Sequence, residues 1–346
     1  MRVGSISTLN ISYLMRDSIL SSQNRLVNAQ AELASGRHYD IGLALGAGTG
    51  RDIMLRVEMA DMQRFADNNK IGRIRADLTQ QAISSIRAVA NNFLETLTGT
   101  RNASQGQALA GIAAKSALEQ LAGLLNTVHD GQHIFGGANT QAAPIAKYSG
   151  SSGEASVAAA FLAAFGMTQS DPAAQNISAA TMQGFLDNQF ASAFIPSAWT
   201  STWSQASNRH ILSRIDRTEL VQASSTANSD PFRQLTKALT MTADLGMPGL
   251  NQAAFETIVD NALAVTGDAL LGLGAEQSRL GVAQNAITAA NVRLSQRLTS
   301  VTAGVLDIES VDKYEAATRV NSLMTQLETS YTLTGRISRL SLLNYI

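Results

Sequence analysis

The chain contains no cysteine, and only 15% of its 346 residues are charged and 5% are aromatic. Without cysteine it can form neither disulfides nor thiolate metal sites, and it has no cysteine nucleophile. Its charges nearly cancel, to a formal net charge of −1, so the sequence has no basic footprint for nucleic acid. We therefore expect no nucleic-acid partner. Because small uncharged residues replace the charges, we expect copies of the chain to associate easily.

Long apolar runs are also lacking. Residues 1–8 do not contain the apolar core, about 7 to 15 residues long, of a secretory signal. No stretch approaches the roughly 20 apolar residues that a membrane span requires. We expect no membrane contact and, if the protein leaves the cell, export by a route that uses no signal peptide.

Both ends of the chain, residues 1–34 and 312–346, have apolar residues at the spacing of coiled-coil helices. One helix cannot bury such a stripe alone, so we expect each terminal helix to need a partner and the two ends to pair. A neighbouring N-terminal stripe contains Ile19, Leu26 and Leu33. The candidate assembly interface consists of the main stripes: Leu9, Tyr13, Leu20, Val27, Val320, Leu323, Leu327, Tyr331, Ile337, Leu340 and Leu343.

The segments between these ends predict a helical rod. Helical periodicity extends over 51–98, 105–128 and 252–303, and the last of these is too long for an ordinary globular helix. Gly42–Gly50 is too rich in glycine for a stable helix, so we expect an irregular connector there. A charged break at 307–312 is expected to precede the C-terminal helix.

The segment 142–250 differs from the rest, because it contains every proline and both tryptophans. Within it, 201–207, 210–215 and 218–224 are predicted to form a meander of three short strands. We interpret the segment as an inserted small α+β domain with the two tryptophans in its core.

The predicted fold class is therefore mainly α: a long antiparallel helical rod with paired terminal helices, plus an inserted small α+β domain. We expect three domains. Residues 1–50 with 304–346 form a terminal coiled-coil assembly domain, 51–141 with 251–303 form the helical rod, and 142–250 form an outward-facing insert.

The patterns that could hold a ligand or a metal are weak. The Gly42–Gly50 run is no phosphate loop, because it follows a helix instead of a strand and no Gly-Lys-Ser/Thr follows it. His129 and His133 have the spacing of a helical zinc pair, but Asp130-Gly131 breaks the helix that would align them. We expect no metal site and no cofactor.

Catalytic signatures are equally weak. The acidic set Asp307, Glu309, Asp312 and Glu315 lacks the alternating frame of a calcium loop, and we interpret it as a solvated face at a helix N-terminus. No serine lies in a nucleophile elbow, and no carboxylate pair has a cleft signature. We therefore predict no catalytic residues and no enzymatic activity.

Four segments stand in the order found in one protein family. They are Ala29–Arg37, Leu124–Gly137, Leu273–Leu280 and Ser338–Leu343. The second resembles the turn that ends the N-terminal rod of flagellins and of the flagellar hook-filament junction proteins, and the third resembles their returning rod. The resemblance covers most of the chain outside the segment 142–250.

The resemblance implies a structural adaptor of the bacterial flagellum, which joins the hook-side junction to the flagellin filament by ring assembly through its terminal helices. Met1–Val3 and Asn344–Ile346 look more like the junction proteins than like flagellin. The alternatives are flagellin itself, the filament subunit, and a flagellin-like protein with an enzymatic insert. His210, Asp216 and Glu219 are the close candidates for a metal or catalytic cluster in such an insert.

The resemblance also implies a route and a set of partners. The chain would be exported unfolded through the flagellar type III apparatus, secreted, and located at the hook-filament junction. Its partners would be hook-associated protein 1, flagellin, other copies of the chain in a ring, and an export chaperone that masks the C-terminal helix.

Overall fold

A computed structural model describes residues 8–103, 105–245 and 247–343 of the chain, without the side chains of 8, 9, 11, 12, 247 and 337–343. The main elements in chain order are α1 (Thr8–Ser35), α2 (Ile41–Leu45), α3 (Thr49–Thr100), α4 (Gly106–Leu125), β1 (Val128–His129), β2 (Gln132–His133), α5 (Ser152–Phe165), α6 (Ala179–Phe185), α7 (Pro196–Ala198), β3 (Leu212–Arg214), β4 (Leu220–Gln222), α8 (Asp230–Asp244), α9 (Gln252–Glu309) and α10 (Lys313–Leu343). Short 3₁₀ turns cover Gly46–Gly48, Pro172–Asn176 and Met247–Gly249, and single π turns cover Leu186–Phe190 and Trp199–Trp203.

Helices dominate the described chain, and its strands form two separate antiparallel hairpins, β1–β2 and β3–β4. The predicted fold class, mainly α with paired terminal helices and a small α+β part, is confirmed. The described residues form two compact units, and the long helices α3 and α9 contribute to both. The first unit contains residues up to 63 and from 295 onward, and the second contains 64–294. The division into three domains stays a prediction.

In the first unit the glycine-rich run is helical. The carboxylate of Asp40 accepts a hydrogen bond from the Leu43 amide at 2.9 Å and so caps α2. The hydroxyl of Thr49 donates to the Gly46 carbonyl at 2.8 Å. These two bonds satisfy the Leu43 amide and the Gly46 carbonyl within the run. The predicted irregular connector was therefore wrong.

The helix α9 is longer than its apolar pattern predicts. It continues through Gly304 to Glu309, and the break before α10 is confined to 310–312. Leu55 contacts the helix at Gly304, where its Cδ1 lies 3.6 Å from the position of a Cβ. Gly304 therefore lies within the helix and beside a side chain of α3.

In the second unit, α3 and α9 run antiparallel. Arg101 forms two hydrogen bonds of 2.8 Å with the carboxylate of Asp260. Further along the same pair of helices, Gln284 Nε2 donates to Asp77 at 2.6 Å. The helix α4 reverses direction after α3, and it begins beside the start of α9, where Gln107 donates to the Leu250 carbonyl at 3.1 Å. Thus α4 is parallel to α9.

The segment 142–250 shares one continuous core with the long helices. Ile83 on α3, Leu121 on α4 and Leu273 on α9 belong to the same buried cluster as the aromatic side chains of this segment. Those aromatic residues are Phe161, Phe185, Phe190, Phe194, Trp199, Trp203 and Phe232. The tryptophan rings stack with centroids 5.6 Å apart, which confirms their predicted place in a core.

Of the three predicted strands, two are present in shorter form. Leu212 pairs with Gln222 and Arg214 pairs with Leu220, so β3 and β4 lie within 210–215 and 218–224. The first predicted strand was wrong, because its residues up to Trp203 lie in a π turn that buries both tryptophans. At the other hairpin, Asp130 and Gly131 both have positive φ, as a two-residue turn between β1 and β2 requires.

Two described helices, α4 and α9, are long and apolar enough to cross a membrane by length and composition. The expectation that no stretch approaches such a span was therefore wrong. The apolar residues of α4 have another explanation, because Ala114, Leu118 and Leu121 lie in the core of the second unit.

Candidate assembly interface

The terminal helices α1 and α10 pair along an antiparallel seam. Near one end of the pair, the Thr334 hydroxyl lies 3.9 Å from the sulfur of Met15. Near the other end, Arg319 lies 3.2 Å from the carboxylate of Glu32. On each helix the residues that face the partner alternate in steps of three and four, which is the coiled-coil spacing. The seam consists of Met15, Ile19, Ser22, Leu26, Ala29 and Leu33 on α1, and Ala316, Val320, Leu323, Leu327, Ser330 and Thr334 on α10.

The structure separates the predicted interface residues into two groups. Val320, Leu323 and Leu327 lie in the seam, and the hydroxyl of Tyr331 beside them accepts a hydrogen bond from Gln23 at 2.5 Å. The other described members face away from α10. Tyr13, Leu20 and Val27 are 65%, 50% and 59% exposed, and we call them the outer stripe. The side chains of Leu9, Ile337, Leu340 and Leu343 lie outside the described part of the chain.

The N-terminal half of the seam is built from the neighbouring stripe of the sequence and not from the main one. Its large residues are those of the neighbouring stripe, Ile19, Leu26 and Leu33, which are half-buried against α10. Sequence reasoning missed Ser22 and Ala29, although both are buried. Small residues carry little hydropathy signal, but their heptad spacing with the neighbouring stripe could have revealed them.

A buried carboxylate fixes the turn behind α1 to the break between α9 and α10. Glu309 is fully buried, forms an ion pair with Arg37 at 3.3 Å, and is hydrogen-bonded by Arg56. Arg56 also donates to Asp52 at 3.1 Å. A backbone hydrogen bond joins the same two segments, because the His38 amide donates to the Glu309 carbonyl at 3.0 Å. Glu309 is therefore no part of a solvated face, contrary to prediction.

The reason for this error is the position of the break. Because α9 extends to Glu309, this residue lies in the last turn of one helix, and Asp312 begins the next by accepting a hydrogen bond from the Tyr314 amide at 2.8 Å. Asp307 and Glu315 are exposed, as predicted for the whole set. Nothing in the spacing of the four acids indicates which of them meets two arginines.

His129 and His133 lie on the two strands of the β1–β2 hairpin, with the predicted break at Asp130-Gly131 between them. His133 Nδ1 lies 3.0 Å from the Asn126 carbonyl, and His129 lies 3.4 Å from Asp130. Among the described residues, no group of three or more histidine, aspartate or glutamate side chains is placed to hold a metal ion. Each histidine therefore lies beside a polar group close to it in the sequence, His133 beside Asn126 and His129 beside Asp130.

The residues considered for an enzymatic insert each have a different neighbour. Glu219 pairs with Arg293 on α9 at 2.7 Å, and Asp216 accepts from the Arg217 amide at 2.7 Å. Burial and the charge of Arg279 lower the pKa of His210 below its usual value. Among the described residues, these three side chains do not form a group that could hold a metal ion.

The geometry of the first unit defines a class of protein. Two terminal helices pair within one chain, and an apolar stripe remains exposed on the side of α1 that faces away from α10. Such a chain is a mainly α-helical protein whose two ends pair with each other.

The comparisons with known proteins identify the family. Residues 6–140 match the bacterial flagellin N-terminal helical region, and residues 263–346 match the bacterial flagellin C-terminal helical region. The two matches together cover more than half of the chain, which belongs to the bacterial flagellin family. It is thus an exported structural protein of the flagellum, which assembles with flagellar components and with its own copies.

Solved structures show similar folds at low sequence identity. A protein of Vibrio parahaemolyticus described as flagellar hook-associated has a TM-score of 0.52 and 11% identity, covering 76% of this chain and 97% of its own. FlgL of Bacillus cereus has a TM-score of 0.49 and 13% identity, covering 73% of this chain and 99% of its own. The first of these likenesses shows the fold alone. No curated protein matches the chain.

Proposed function

We propose that the chain is a hook-filament junction protein of the hook-associated protein 3 type, which joins the hook-side junction to the flagellin filament. The observation that carries the proposal is the outer stripe of α1. Its three side chains are at least half exposed, whereas the seam residues Ala29, Ala316 and Val320 are buried between α1 and α10. This leaves an apolar face for the neighbouring subunits of a ring.

The energy available from this face is modest for one subunit. Full burial of a large apolar side chain contributes about 1.5–3 kcal/mol, and these residues are already partly covered, so each adds about 1 kcal/mol. Repetition around a ring multiplies the contribution. The resulting assembly is mechanical and needs no catalytic turnover.

The choice of the junction over the filament rests on the terminal segments Met1–Val3 and Asn344–Ile346, which resemble junction proteins. The Vibrio parahaemolyticus protein of similar fold is described as hook-associated, which agrees with this choice. In this proposal the partners are hook-associated protein 1, flagellin and copies of the chain, and an export chaperone covers α10 before type III secretion. The segment 142–250 faces outward from the ring.

The test is loss of the protein, followed by localisation of flagellin. A junction protein predicts intact hooks without filaments and flagellin released into the medium. Normal filaments on those hooks would contradict the proposal. The flagellin alternative is tested separately by adding purified protein to shear-broken flagella, where growth of long filaments from this protein alone would favour a filament subunit.

A further inference from the structure

The β3–β4 hairpin rests on a small hydrophobic core of its own. We call this hairpin with its flanking residues, 210–224, the hairpin segment. The core that joins it to α3 and α9 is separate from the large core of the second unit. Its buried members are Ala76, Ile215, Ala223, Ile287 and Ala290. Because most of them are alanines, little apolar surface holds the hairpin segment in place. It can therefore open locally while the large core stays closed.

Arg279 on α9 holds the last residues of the hairpin segment. Its guanidinium donates to the Ser224 carbonyl at 3.1 Å and to the Gln222 carbonyl at 3.4 Å. Glu276, one turn earlier on α9, accepts from Arg279 at 2.6 Å and from the Ser225 hydroxyl at 2.9 Å. The attachment at this end therefore depends on a cation that one carboxylate holds in position.

His210 lies at the same end of the hairpin segment. The adjacent Ile211 amide donates to the Ser224 hydroxyl at 2.9 Å, which places His210 beside the residues that Arg279 binds. The Nδ1 atom of His210 is buried, and no described residue forms a hydrogen bond with it. A proton on this atom would be a buried donor without an acceptor, near the positive charge of Arg279. The neutral ring is therefore the form that fits the attached hairpin segment.

The charges around His210 favour the neutral ring as well. Burial lowers the pKa of His210 below its usual value of 6.5, and the charge of Arg279 lowers this pKa further. The charge of Glu276 and a hydrogen bond to the Ser224 backbone act in the opposite direction without reversing the shift. The described charged groups that act on the ring, Arg279 and Glu276, are both on α9.

We propose that the hairpin segment is an acid-released latch, which protonation of His210 detaches from α9. In the released state the ring is in water and binds a proton at its usual pKa of about 6.5. Well above this pH both states are neutral, so the attachment has its full stability. As pH falls from about 6.5 to the lowered pKa of the attached state, only the released state binds the proton, and the attachment weakens. At lower pH both states carry the proton, and no further stability is lost.

Release changes the surface of the long helices within one chain. A Cβ at Gly72 on α3 would lie 2.9 Å from the Ser213 hydroxyl oxygen, so a larger residue there would hold the hairpin segment away. Ile287 on α9 is fully buried while the segment is attached. Both positions become accessible when the segment leaves. This latch does not depend on the position of the chain in the flagellum.

The first test is amide hydrogen exchange of the full-length chain at about pH 7.5 and about pH 5.5. Both values lie above about pH 4, where the carboxylates of model peptides titrate. Rates are corrected for the pH dependence of exchange in an unstructured peptide. One pH unit below the usual histidine pKa, the linkage permits at most about a tenfold increase in opening. We expect residues 211–224 to lose protection within this limit at the lower pH, while α4 keeps its protection.

Two outcomes of this measurement would overturn the proposal. The first is unchanged protection of residues 211–224 at the lower pH. The second is an equal loss of protection in α4, because the hairpin segment would then open only with the large core.

The second test is His210→Gln, with His129→Gln as the matched control. Glutamine has an amide group that can donate to the Ser224 backbone, and it binds no proton in this pH range. His129 lies on the other hairpin of the second unit, and its side chain is 40% exposed. We expect His210→Gln to abolish the difference in exchange between the two pH values and His129→Gln to retain it. A pH-dependent opening that persists in His210→Gln would overturn His210 as the responsible group.

A titration of the wild-type chain decides the question without a change in the hairpin segment. The chain has four histidines, and their ring resonances are followed by NMR as pH is varied. The His210 resonance is assigned by its absence from the His210→Gln spectrum. We expect this ring to titrate below the usual value of 6.5. A His210 pKa at or above that value would overturn the proposal, even where His210→Gln detaches the hairpin segment at both pH values.

Discussion

Arg37 and Glu309, from opposite ends of the sequence, form an ion pair in which Nη1 and Oε2 are 3.3 Å apart. The carboxylate is fully buried, whereas the arginine side chain is 48% exposed. A buried carboxylate is tolerated only when its partners are present, and one of them lies in the turn behind α1. The N-terminal and C-terminal segments of the first unit therefore depend on each other for their order.

Replacing Glu309 should loosen this connection. Because Arg37 and Arg56 retain access to water, we expect Glu309→Ala to cost about 1–3 kcal/mol, less than the loss of a partner from a fully buried pair. The measurement is amide hydrogen exchange in residues 36–40 and 309–312, which should become faster. The matched control is Glu315→Ala, whose exposed pair with Arg319 should contribute less than about 0.5 kcal/mol. Equal protection in both variants would contradict the assignment.

Two valines distinguish the seam from the outer stripe. Val320 is buried against α1, whereas Val27 faces solvent. We expect Val320→Gln to destabilise the terminal pair by about 2–3 kcal/mol, because it places an amide in an apolar contact. The same change at Val27 should alter the stability of the free chain by less than about 0.5 kcal/mol.

The assembly readout should separate the two variants in a second way. Val27→Gln should reduce incorporation into flagella while helical circular dichroism and the thermal midpoint stay at wild-type values. If Val27→Gln incorporates normally, the outer stripe is not an assembly surface. If Val27→Gln unfolds the chain, Val27 is not exposed to solvent as the structure shows it.

How far the sequence predicts this fold depends on the length over which a pattern is sustained. The long helices α3 and α9 were recognisable because many apolar residues repeat at helical spacing. The short helix α2 was missed because its stability comes from the Asp40 cap and the Thr49 hydroxyl, which act against the low helix propensity of glycine. The strand predicted over 201–207 was wrong because ring stacking at Trp203 outweighs local β propensity there.

The candidate site was predictable to a smaller extent. Heptad spacing indicates that both termini need partners, but it does not decide which stripe faces the partner within the chain and which faces solvent. Ser22 and Ala29 favour the seam because they allow close approach, an effect that hydropathy does not register. The pairing of Glu309 with Arg37 depends on where α9 ends, and no local pattern indicates that position.

Gly153 and Gly184 should respond oppositely to alanine. A Cβ at Gly153 would lie 2.8 Å from the indole ring of Trp203, whereas Gly184 in α6 has open space. We expect Gly153→Ala to destabilise the second unit by about 1–3 kcal/mol through overpacking. Gly184→Ala should stabilise it by about 0.5–1 kcal/mol, because alanine has the higher helix propensity. Thermal denaturation checks both, and a stabilised Gly153→Ala would show that Trp203 can move away freely.

Asp244 should make the second unit less stable as pH rises. Its carboxylate accepts a hydrogen bond from Tyr148 at 2.7 Å, but burial raises the pKa of Asp244, and the charge of Glu154 raises it further. A carboxyl whose folded pKa exceeds its unfolded pKa stabilises the fold below the unfolded value, and this contribution is lost as pH rises through the folded pKa. At neutral pH the folded state therefore contains an unfavourable charge. Asp244→Asn removes that charge and keeps an oxygen that can accept from Tyr148.

We expect Asp244→Asn to raise the thermal midpoint at about pH 7, and the gain to vanish near about pH 3, where the wild-type carboxyl is already neutral. Asp260→Asn is the control of opposite sign. Hydrogen bonds from Arg101 lower the pKa of Asp260, so its charge stabilises the fold at neutral pH and the stabilisation is lost as pH falls. This variant should lower the midpoint at about pH 7 and converge with the wild type in acid. The same pH dependence in both variants would mean that neither carboxylate is perturbed by its described neighbours.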